Sequence, residues 1–237
     1  MKRLLYVLNI FRTAAVPNLL LDLASIIREK YAIRILSLQS VNPSDRLVLR
    51  CREAGIKLDS LDVRRYDLLR TAVRLKRYLR EIKPDLIHSH LGRADIMSAC
   101  CKERRTKLVT TFHSVRSSYH PLTRLGYILT DRRVDVRTAV SKTVDKTWYA
   151  DWRLASRHRT IYNTVDPTRM EGAEERNIVR ARYGITEDEI LLLNVGRLTK
   201  QKGQVHLIEA MARLVRKQRG IRLLICGAGS LKIYSAA

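Results

Sequence analysis

Short apolar runs recur along the chain and alternate with longer segments in which apolar residues repeat at a helical period. Parallel strands buried on both faces have this appearance, and their alternation with helices is typical of βαβ units. The pattern therefore predicts an α/β fold with a parallel sheet. The strands predicted in the first part of the chain are Leu4–Ile10, Ile33–Leu38, Leu86–His90, Leu108–Phe112, Thr138–Val140 and Thr160–Tyr162.

Helix start and stop signals agree with this alternation. Pro17 and Asn18 favour the start of a helix over Leu19–Glu29, and the stretch 42–45 (Asn-Pro-Ser-Asp) favours the start of another. The Lys-Pro-Asp sequence at 83–85 ends a third helix just before a strand, because proline cannot continue a helix.

The segment Asp67–Lys83 is predicted to be an amphipathic helix with a strongly basic outer face. Its apolar stripe consists of Leu68, Ala72, Leu75, Leu79 and Ile82, and its basic residues are Arg70, Arg74, Lys76, Arg77, Arg80 and Lys83. Such a helix is either an ordinary solvated surface helix or one that docks on anionic lipid headgroups.

A second α/β cycle follows a polar, charged stretch that runs from Asp166 to Arg182. The pattern predicts a strand at Ile190–Val195, a helix at Gln204–Gln218 and another strand at Ile221–Cys226. These elements amount to one βαβ unit.

The charge of the chain points to anionic partners. Among 237 residues, Lys and Arg number 46 against 23 Asp and Glu, a formal net charge of +23. Residues 1–184 carry +18 of this excess, so it belongs mostly to the first part of the chain. Nucleic acid, anionic lipid and phosphorylated substrates are the partners that such a charge favours.

Other features exclude several classes of protein. Charged residues interrupt every apolar run before it reaches the length of a membrane span. The basic and then apolar start is similar to a signal peptide, but no cleavage site follows and Arg12 interrupts it, so we expect a buried strand there. The four cysteines, Cys51, Cys100, Cys101 and Cys226, lack zinc or disulfide spacing and are predicted to be reduced core thiols of a cytoplasmic protein.

The loop after the predicted strand Ile190–Val195 carries the clearest chemical signal. Gly196 and Gly203 permit close approach of the backbone, and the start of the next helix offers unpaired N–H groups to an anion. Arg197 and Lys202 add two cations, so the loop suits a diphosphate. A simple Gly-Arg turn with solvated lysines is the alternative.

Six motifs in a fixed order resemble the retaining family-four glycosyltransferases with the GT-B fold. They are Asp-Leu-Ile-His-Ser-His at 85–90, Thr-Phe-His-Ser at 111–114, Ala-Val-Ser at 139–141, Ile-Tyr-Asn-Thr-Val-Asp at 161–166, the Gly-Arg-Leu to Lys-Gly loop at 196–203, and Leu-Leu-Ile-Cys-Gly-Ala-Gly at 223–229. The resemblance implies two Rossmann-like domains that transfer a sugar from a nucleoside-diphosphate donor with retention of configuration. It divides the chain into an acceptor domain (1–166), a linker (167–184) and an incomplete donor domain (185–237).

The resemblance also implies roles for individual residues. Arg197 and Lys202 match the cations that grip the donor diphosphate, and His113 matches a histidine that reaches the transferred sugar; a structural histidine is its alternative. His88 and His90 lie two apart on a strand, and the resemblance makes them sheet-end residues beside the cleft rather than metal ligands. No cofactor or metal is implied, since the nucleotide sugar is the donor substrate.

Three further matching residues are expected to be structural. Asn163 and Asp166 match the turn that leads into the linker, and Ser141 is expected to cap the next helix through its hydroxyl.

Two departures from the family pattern change the expectation. The stretch 12–17 (Arg-Thr-Ala-Ala-Val-Pro) lacks the paired glycines of the family, which puts close backbone approach to the donor there in doubt. The strands, helices and glutamate pair that follow the Gly-x-Gly turn in the family are not in the sequence. We therefore expect a truncated, inactive form.

The sequence as a whole predicts a cytoplasmic glycosyltransferase, peripheral on the inner face of the membrane, in lipid-linked saccharide or polysaccharide synthesis. The alternative from another class is a non-enzymatic polyanion-binding protein for nucleic acid or anionic lipid. Aromatic residues make up only 6% of the chain and no nucleic-acid motif is visible, so no specific nucleic acid is expected. A GT-B epimerase or phosphorylase is disfavoured by the order of the motifs.

Overall fold

The structure is a computed structural model that describes residues 1–149, 157–164 and 174–231. The chain divides into two compact units, residues 1–166 and 167–237. Both units are built from parallel strands joined by helices, so the predicted α/β class is confirmed.

The first unit contains a seven-stranded parallel sheet. Its strands are β1 (Lys2–Leu8), β2 (Tyr31–Ser37), β3 (Lys57–Ser60), β4 (Leu86–His90), β5 (Lys107–Phe112), β6 (Val136–Ala139) and β7 (Arg157–Thr160). The order is β3-β2-β1-β4-β5-β6-β7, and every neighbouring pair is parallel. The order reverses between β1 and β4, which is the place where Rossmann-like sheets open a crevice for ligands.

Helices cover both faces of this sheet. They are α1 (Ala15–Ile27), α2 (Arg46–Glu53), α3 (Leu68–Ile82), α4 (Arg93–Cys101), α5 (Pro121–Thr130) and α6 (Lys142–Tyr149). Alternate residues of β1 face opposite layers: Leu4 and Tyr6 pack with α1 and α2, whereas Leu5 and Val7 pack with α3 and α4. This double burial explains why the strands appear in the sequence as continuous apolar runs.

Several elements of the first unit differ from the prediction. Helix α1 begins at Ala15 rather than Leu19, with Pro17 in its first turn, where a missing N–H costs nothing because those groups have no intrahelical partner. Strand β3 was not predicted, because its sequence Lys-Leu-Asp-Ser contains one apolar residue; it forms through its pairing with β2. The predicted strand Thr160–Tyr162 is shifted, since β7 ends at Thr160.

The buried stripe of α3 also differs from the prediction. Thr71, Leu75 and Leu79 face the core, whereas Leu68 is 57% exposed. Thr71 tolerates burial because its hydroxyl donates to the carbonyl of Asp67, whose carboxylate caps the helix by accepting from the amide of Arg70. The prediction that Leu68 belongs to the core was therefore wrong.

The second unit has a two-stranded parallel sheet in its described part. Its elements are α7 (Arg176–Arg182), β8 (Ile190–Val195), α8 (Gln204–Leu214) and β9 (Ile221–Cys226). The strand–helix–strand unit matches the prediction, although α8 ends at Leu214 rather than Gln218. Helix α7 lies within the range predicted to be a linker. The Arg180 guanidinium joins α7 to the segment just before β8 by donating to the carbonyls of Thr186 and Glu189.

The structure also tests the predicted burial of the cysteines and the predicted lack of a membrane-spanning segment. All four cysteines are free, and Cys51 and Cys101 are buried, but Cys100 is exposed, so its assignment to the core was wrong. Within the described ranges, every helix is too short or too polar to span a bilayer.

Candidate functional site

Three histidines meet at the carboxyl ends of β4 and β5, beside the point where the strand order reverses. His88 and His90 lie on the same face of β4, with ring centroids 4.2 Å apart, and Tyr6 of β1 lies opposite His88. Nε2 of His88 is 2.8 Å from the Thr111 hydroxyl. Nδ1 of His90 is 2.8 Å from Nε2 of His113, so His113 belongs to this cluster.

Burial keeps these imidazoles uncharged. Desolvation, helped by repulsion from His113, lowers the pKa of His88 to about 3, and desolvation alone lowers that of His113 to about 4. The pKa of His90 lies well below its ordinary value for the same reason, with further repulsion from His88 and His113. At neutral pH each ring therefore has one N–H donor and one acceptor nitrogen.

A buried polar network supports the cluster from the β4–α4 turn. This turn requires positive φ at Leu91 (76°) and Gly92 (49°). Tyr127 accepts from the Gly92 amide through its hydroxyl, at 3.0 Å, and donates to the Asp95 carboxylate. Desolvation raises the pKa of Asp95 to about 6, although the hydrogen bond from Tyr127 opposes it. Asn9 adds a bond from the Ala94 amide, at 2.8 Å.

Sequence reasoning missed this network. Asp95 and Tyr127 lie 32 residues apart, and neither belongs to a motif that indicated a site. The one signal in the sequence was that both immediate neighbours of Asp95, Ala94 and Ile96, are apolar. Across the described residues, no group of three or more His, Cys, Asp or Glu side chains is arranged to hold a metal ion.

The β1–α1 loop, which lacks the glycines of the family, is tied to the start of α2. Asp45 caps α2 by accepting from the Leu47 amide at 2.9 Å, and it also accepts from the amide and hydroxyl of Thr13. Desolvation acts to raise the pKa of Asp45, but the hydrogen bonds from Thr13 and from the Leu47 and Val48 amides together lower it. A carboxylate clamp thus holds the loop where the family uses glycine.

The second unit brings together the four predicted donor-site residues in one loop. Gly196 and Arg197 follow β8 directly, Lys202 ends a 3-10 turn, and Gly203 starts α8 with φ of 68°. The side-chain amide of Gln204 donates to the Arg197 carbonyl at 3.0 Å, which closes the loop over the helix start. The side chains of Arg197 and Lys202 remain exposed.

The glycines after β9 are required by close packing against this loop. A Cβ atom at Gly227 would lie 1.8 Å from the Gly196 carbonyl oxygen, and one at Gly229 would lie 2.1 Å from that of Leu198. Leu198 pairs with Gly229 beyond the ends of the strands, and its amide donates to the Ala228 carbonyl. The Gly-Ala-Gly turn therefore fixes the path of the chain on either side of Arg197.

The residues expected to be structural have different outcomes. The Ser141 hydroxyl accepts from the Val144 amide at 3.1 Å, so its predicted role as the cap of α6 is confirmed. Asn163 is exposed, and Asp166 lies outside the described residues. His113 and the loop at 196–203 belong to different units.

Two family models match the chain. The model for Glycosyltransferase Family 4 matches residues 18–169, and the model for Glycosyl transferases group 1 matches residues 175–234. The first covers the unit with the histidine cluster, and the second covers the unit with the Arg197–Lys202 loop.

Individual proteins are similar to the chain in sequence or in fold. An uncharacterized glycosyltransferase of Methanocaldococcus jannaschii is 23% identical over 184 residues, which are 70% of this chain and 45% of that protein. Among solved structures, Anabaena HepE in complex with UDP and glucose superposes with a TM-score of 0.76 at 16% identity, over 97% of this chain and 62% of that one. A UDP-GlcNAc 2-epimerase from Neisseria meningitidis superposes at 0.61 and 13% identity, over 96% of this chain and 66% of that one.

The solved structures establish the fold, which transferases and epimerases share, while the family models distinguish between them. The chain spans less than half of the Methanocaldococcus relative and about three fifths of HepE. The family matches also disfavour the non-enzymatic polyanion-binding alternative. On the match over residues 18–169, which is more than half of its length, the chain belongs to Glycosyltransferase Family 4.

Proposed function

We propose that this chain contributes to the transfer of a sugar from a nucleoside-diphosphate donor to a saccharide or lipid-linked acceptor, with retention of configuration. The observation that carries the proposal is the loop at 196–203, where the exposed side chains of Arg197 and Lys202 and a helix start follow one strand end. In this proposal residues 1–166 bind the acceptor, residues 167–184 link the domains and residues 185–237 bind the donor. The protein acts in the cytoplasm.

The chemistry of donor cleavage suits this loop. Breaking the anomeric bond leaves negative charge on the β-phosphate of the departing nucleoside diphosphate. Arg197 offers a forked donor and Lys202 a compact charge, and cations held where charge develops stabilise the transition state most. The stacked Gly227 and Gly229 contacts hold the backbone of Arg197 before the donor arrives.

His113 contributes a neutral polar group to the same proposal. Because its pKa is lowered to about 4, it is uncharged at pH 7 and its Nε2 is engaged by His90. The other ring nitrogen, Nδ1, is the atom available for a hydroxyl of the transferred sugar.

Arg197→Ala and Lys202→Ala are expected to weaken binding of UDP or GDP to the 237-residue chain about tenfold or more. A hydrogen bond to a charged group contributes roughly 1.5–3 kcal/mol, which corresponds to that factor. Isothermal titration calorimetry measures the change, with Lys200→Ala, an exposed cation in the same loop, as the matched control. Equal losses in all three variants would mean that the loop attracts anions without a defined diphosphate site.

Catalysis is tested separately from binding. In a transferring enzyme that carries these residues, both alanine variants are expected to lower kcat more than they raise the donor KM, because the leaving-group charge grows toward the transition state. That the 237-residue chain alone transfers no sugar stays a prediction, which a labelled-sugar assay tests.

We also propose that helix α3 holds the protein at an anionic membrane surface. Arg70, Lys76, Arg77 and Arg80 are exposed on it, whereas Arg74 is partly buried and donates to the Leu61 carbonyl. Four large apolar side chains lie exposed just before α3 or in its first turns: Tyr66 (83%), Leu68 (57%), Leu69 (79%) and Val73 (62%). Apolar side chains beside cations are the composition that inserts between anionic headgroups.

The triple variant Arg70→Glu, Lys76→Glu, Arg77→Glu is expected to sediment at least tenfold less with vesicles of phosphatidylcholine and phosphatidylglycerol. Each cation near such a surface contributes about 1 kcal/mol, and the difference should shrink at high salt. The control reverses Arg28, Arg46 and Arg52, which are exposed on the α1–α2 side of the sheet, and so matches the change in net charge. Equal loss in both variants would assign binding to overall charge rather than to α3.

A further inference from the structure

Only one ring nitrogen of His113, Nε2, forms a hydrogen bond within the described residues. Its Nε2 lies 2.8 Å from Nδ1 of His90, and in the described part of the chain no hydrogen bond involves its Nδ1. His113 is half-buried, whereas His90 is 2% exposed. A single proton lies between the two rings, so the tautomer of one histidine decides that of the other.

The two possible directions of this hydrogen bond differ in what they leave in the core. Nε2 of His90 is buried without a partner among the described residues. If His113 donates, neutral His90 must carry its proton on that Nε2, as a buried N–H without an acceptor. If His90 donates from Nδ1, only a lone pair is left there. Orphaned buried N–H groups are the rarer defect in proteins, which favours His90 as the donor.

We infer that His90 is a positioning residue that holds neutral His113 in the Nδ1–H tautomer, so that Nδ1 of His113 carries the N–H donor for a hydroxyl of a bound sugar. This inference rests on the proposed function for the identity of the ligand. It does not rest on it for the tautomer, because the two rings contact each other in the unliganded chain.

His88 provides a natural comparison on the same strand face. Its Nε2 contacts the Thr111 hydroxyl, which lies 2.6 Å from the Thr138 hydroxyl, and Thr138 in turn donates to the Thr110 carbonyl at 3.4 Å. Since a carbonyl only accepts, Thr138 donates to it, Thr111 donates to Thr138 and His88 donates to Thr111. His88 is therefore the Nε2–H tautomer and has no hydrogen bond with His113.

The tautomers are measured directly by long-range 1H–15N NMR on the 237-residue chain with 15N-labelled histidine, at pH 7.5 with a chelator present. The chain has six histidines, so single substitutions assign every ring. We expect His113 to show a protonated Nδ1 and an unprotonated Nε2. A free neutral imidazole in water favours the opposite tautomer, so this result would require an interaction such as the one with His90.

Three variants separate positioning from packing. His90→Phe keeps a ring but has no donor, so His113 is expected to move toward the Nε2–H tautomer. His90→Asn places an amide N–H near the position of Nδ1 and is expected to restore the Nδ1–H form, while His88→Phe leaves His113 unchanged. Amide spectra show whether each variant is folded. A folded His90→Phe chain in which His113 keeps its tautomer would overturn the inference. A wild-type chain in which His113 is protonated on Nε2 would also overturn it.

A titration with UDP-glucose distinguishes the inference from the proposed function. We expect the probe to shift the Nδ1 signal of His113 in the wild type and in His90→Asn, and to shift it at least twofold less in His90→Phe. Absence of any shift, with the tautomer as expected, would count against the sugar contact of His113 and leave the role of His90 in place. A shift of equal size in His90→Phe would overturn the positioning role.

Discussion

The free energy of unfolding of the first unit is expected to fall by about 4 kcal/mol between pH 7.5 and pH 5. Three desolvated histidines cause the loss. Desolvation lowers the pKa of His88 to about 3 and that of His113 to about 4, and the pKa of His90 lies well below its ordinary value. A loss of this size is a large share of the 5–15 kcal/mol by which folded proteins are typically stable.

The sign follows from proton binding in the two states. Below pH 6.5 the unfolded chain protonates these imidazoles while the folded chain does not, so stability is complete above about pH 6.5 and decreases as the pH falls toward 4. Each histidine contributes about 1.4 kcal/mol per pH unit in that window. Asp95 acts in the opposite direction. Because its pKa is raised to about 6, the folded chain protonates it at a higher pH than the unfolded chain does, and below pH 6 this gain in stability offsets the loss from about one histidine.

Urea denaturation followed by tryptophan fluorescence measures this dependence, since Trp148 and Trp152 both lie in the first unit. His90→Asn is expected to reduce the slope against pH by about one proton, whatever its effect on absolute stability. His206→Gln is the matched control, because its side chain is 86% exposed in the second unit. A pH-independent stability from 7.5 to 5 would show that the histidines are solvated.

Arg137→Met is expected to destabilise the first unit by about 3–5 kcal/mol. Its guanidinium is buried and contacts the Asp131 carboxylate at 2.9 Å, the Thr110 hydroxyl at 3.0 Å and the Tyr127 carbonyl at 3.3 Å. It also lies over the rings of Phe112 and Tyr127. Removing the cation takes the positive charge of Arg137 away from the buried Asp131 carboxylate, which is the costly way to break a buried pair.

A double-mutant cycle distinguishes the pair from simple packing. Arg137→Met combined with Asp131→Leu is expected to recover most of the loss, because no charge then remains buried. Lys107→Met is the control: Lys107 pairs with Asp135 at 2.8 Å but is 71% exposed, so its loss should stay below about 1 kcal/mol. Equal losses for Arg137→Met and for the double variant would assign the effect to packing alone.

The donor loop was predictable because it is local. Gly196, Arg197, Lys202 and Gly203 are neighbours in sequence, and the strand and helix that flank them show clear periodicity. The reason for Gly227 and Gly229 was not visible, because the atoms that exclude a side chain there belong to the neighbouring strand connection.

The sequence by itself determined the α/β class, most strands of the first unit and the βαβ pattern of the second, because strands buried on two faces and amphipathic helices leave periodic signatures. It could not determine the β4–β5 register that brings His90 to His113, the burial of Asp95 and Arg137, or the face that α3 turns to the core. Those features depend on contacts between residues far apart in the chain. Only the tertiary structure decides them, since the pKa and tautomer of a side chain are set by the groups that surround it in space.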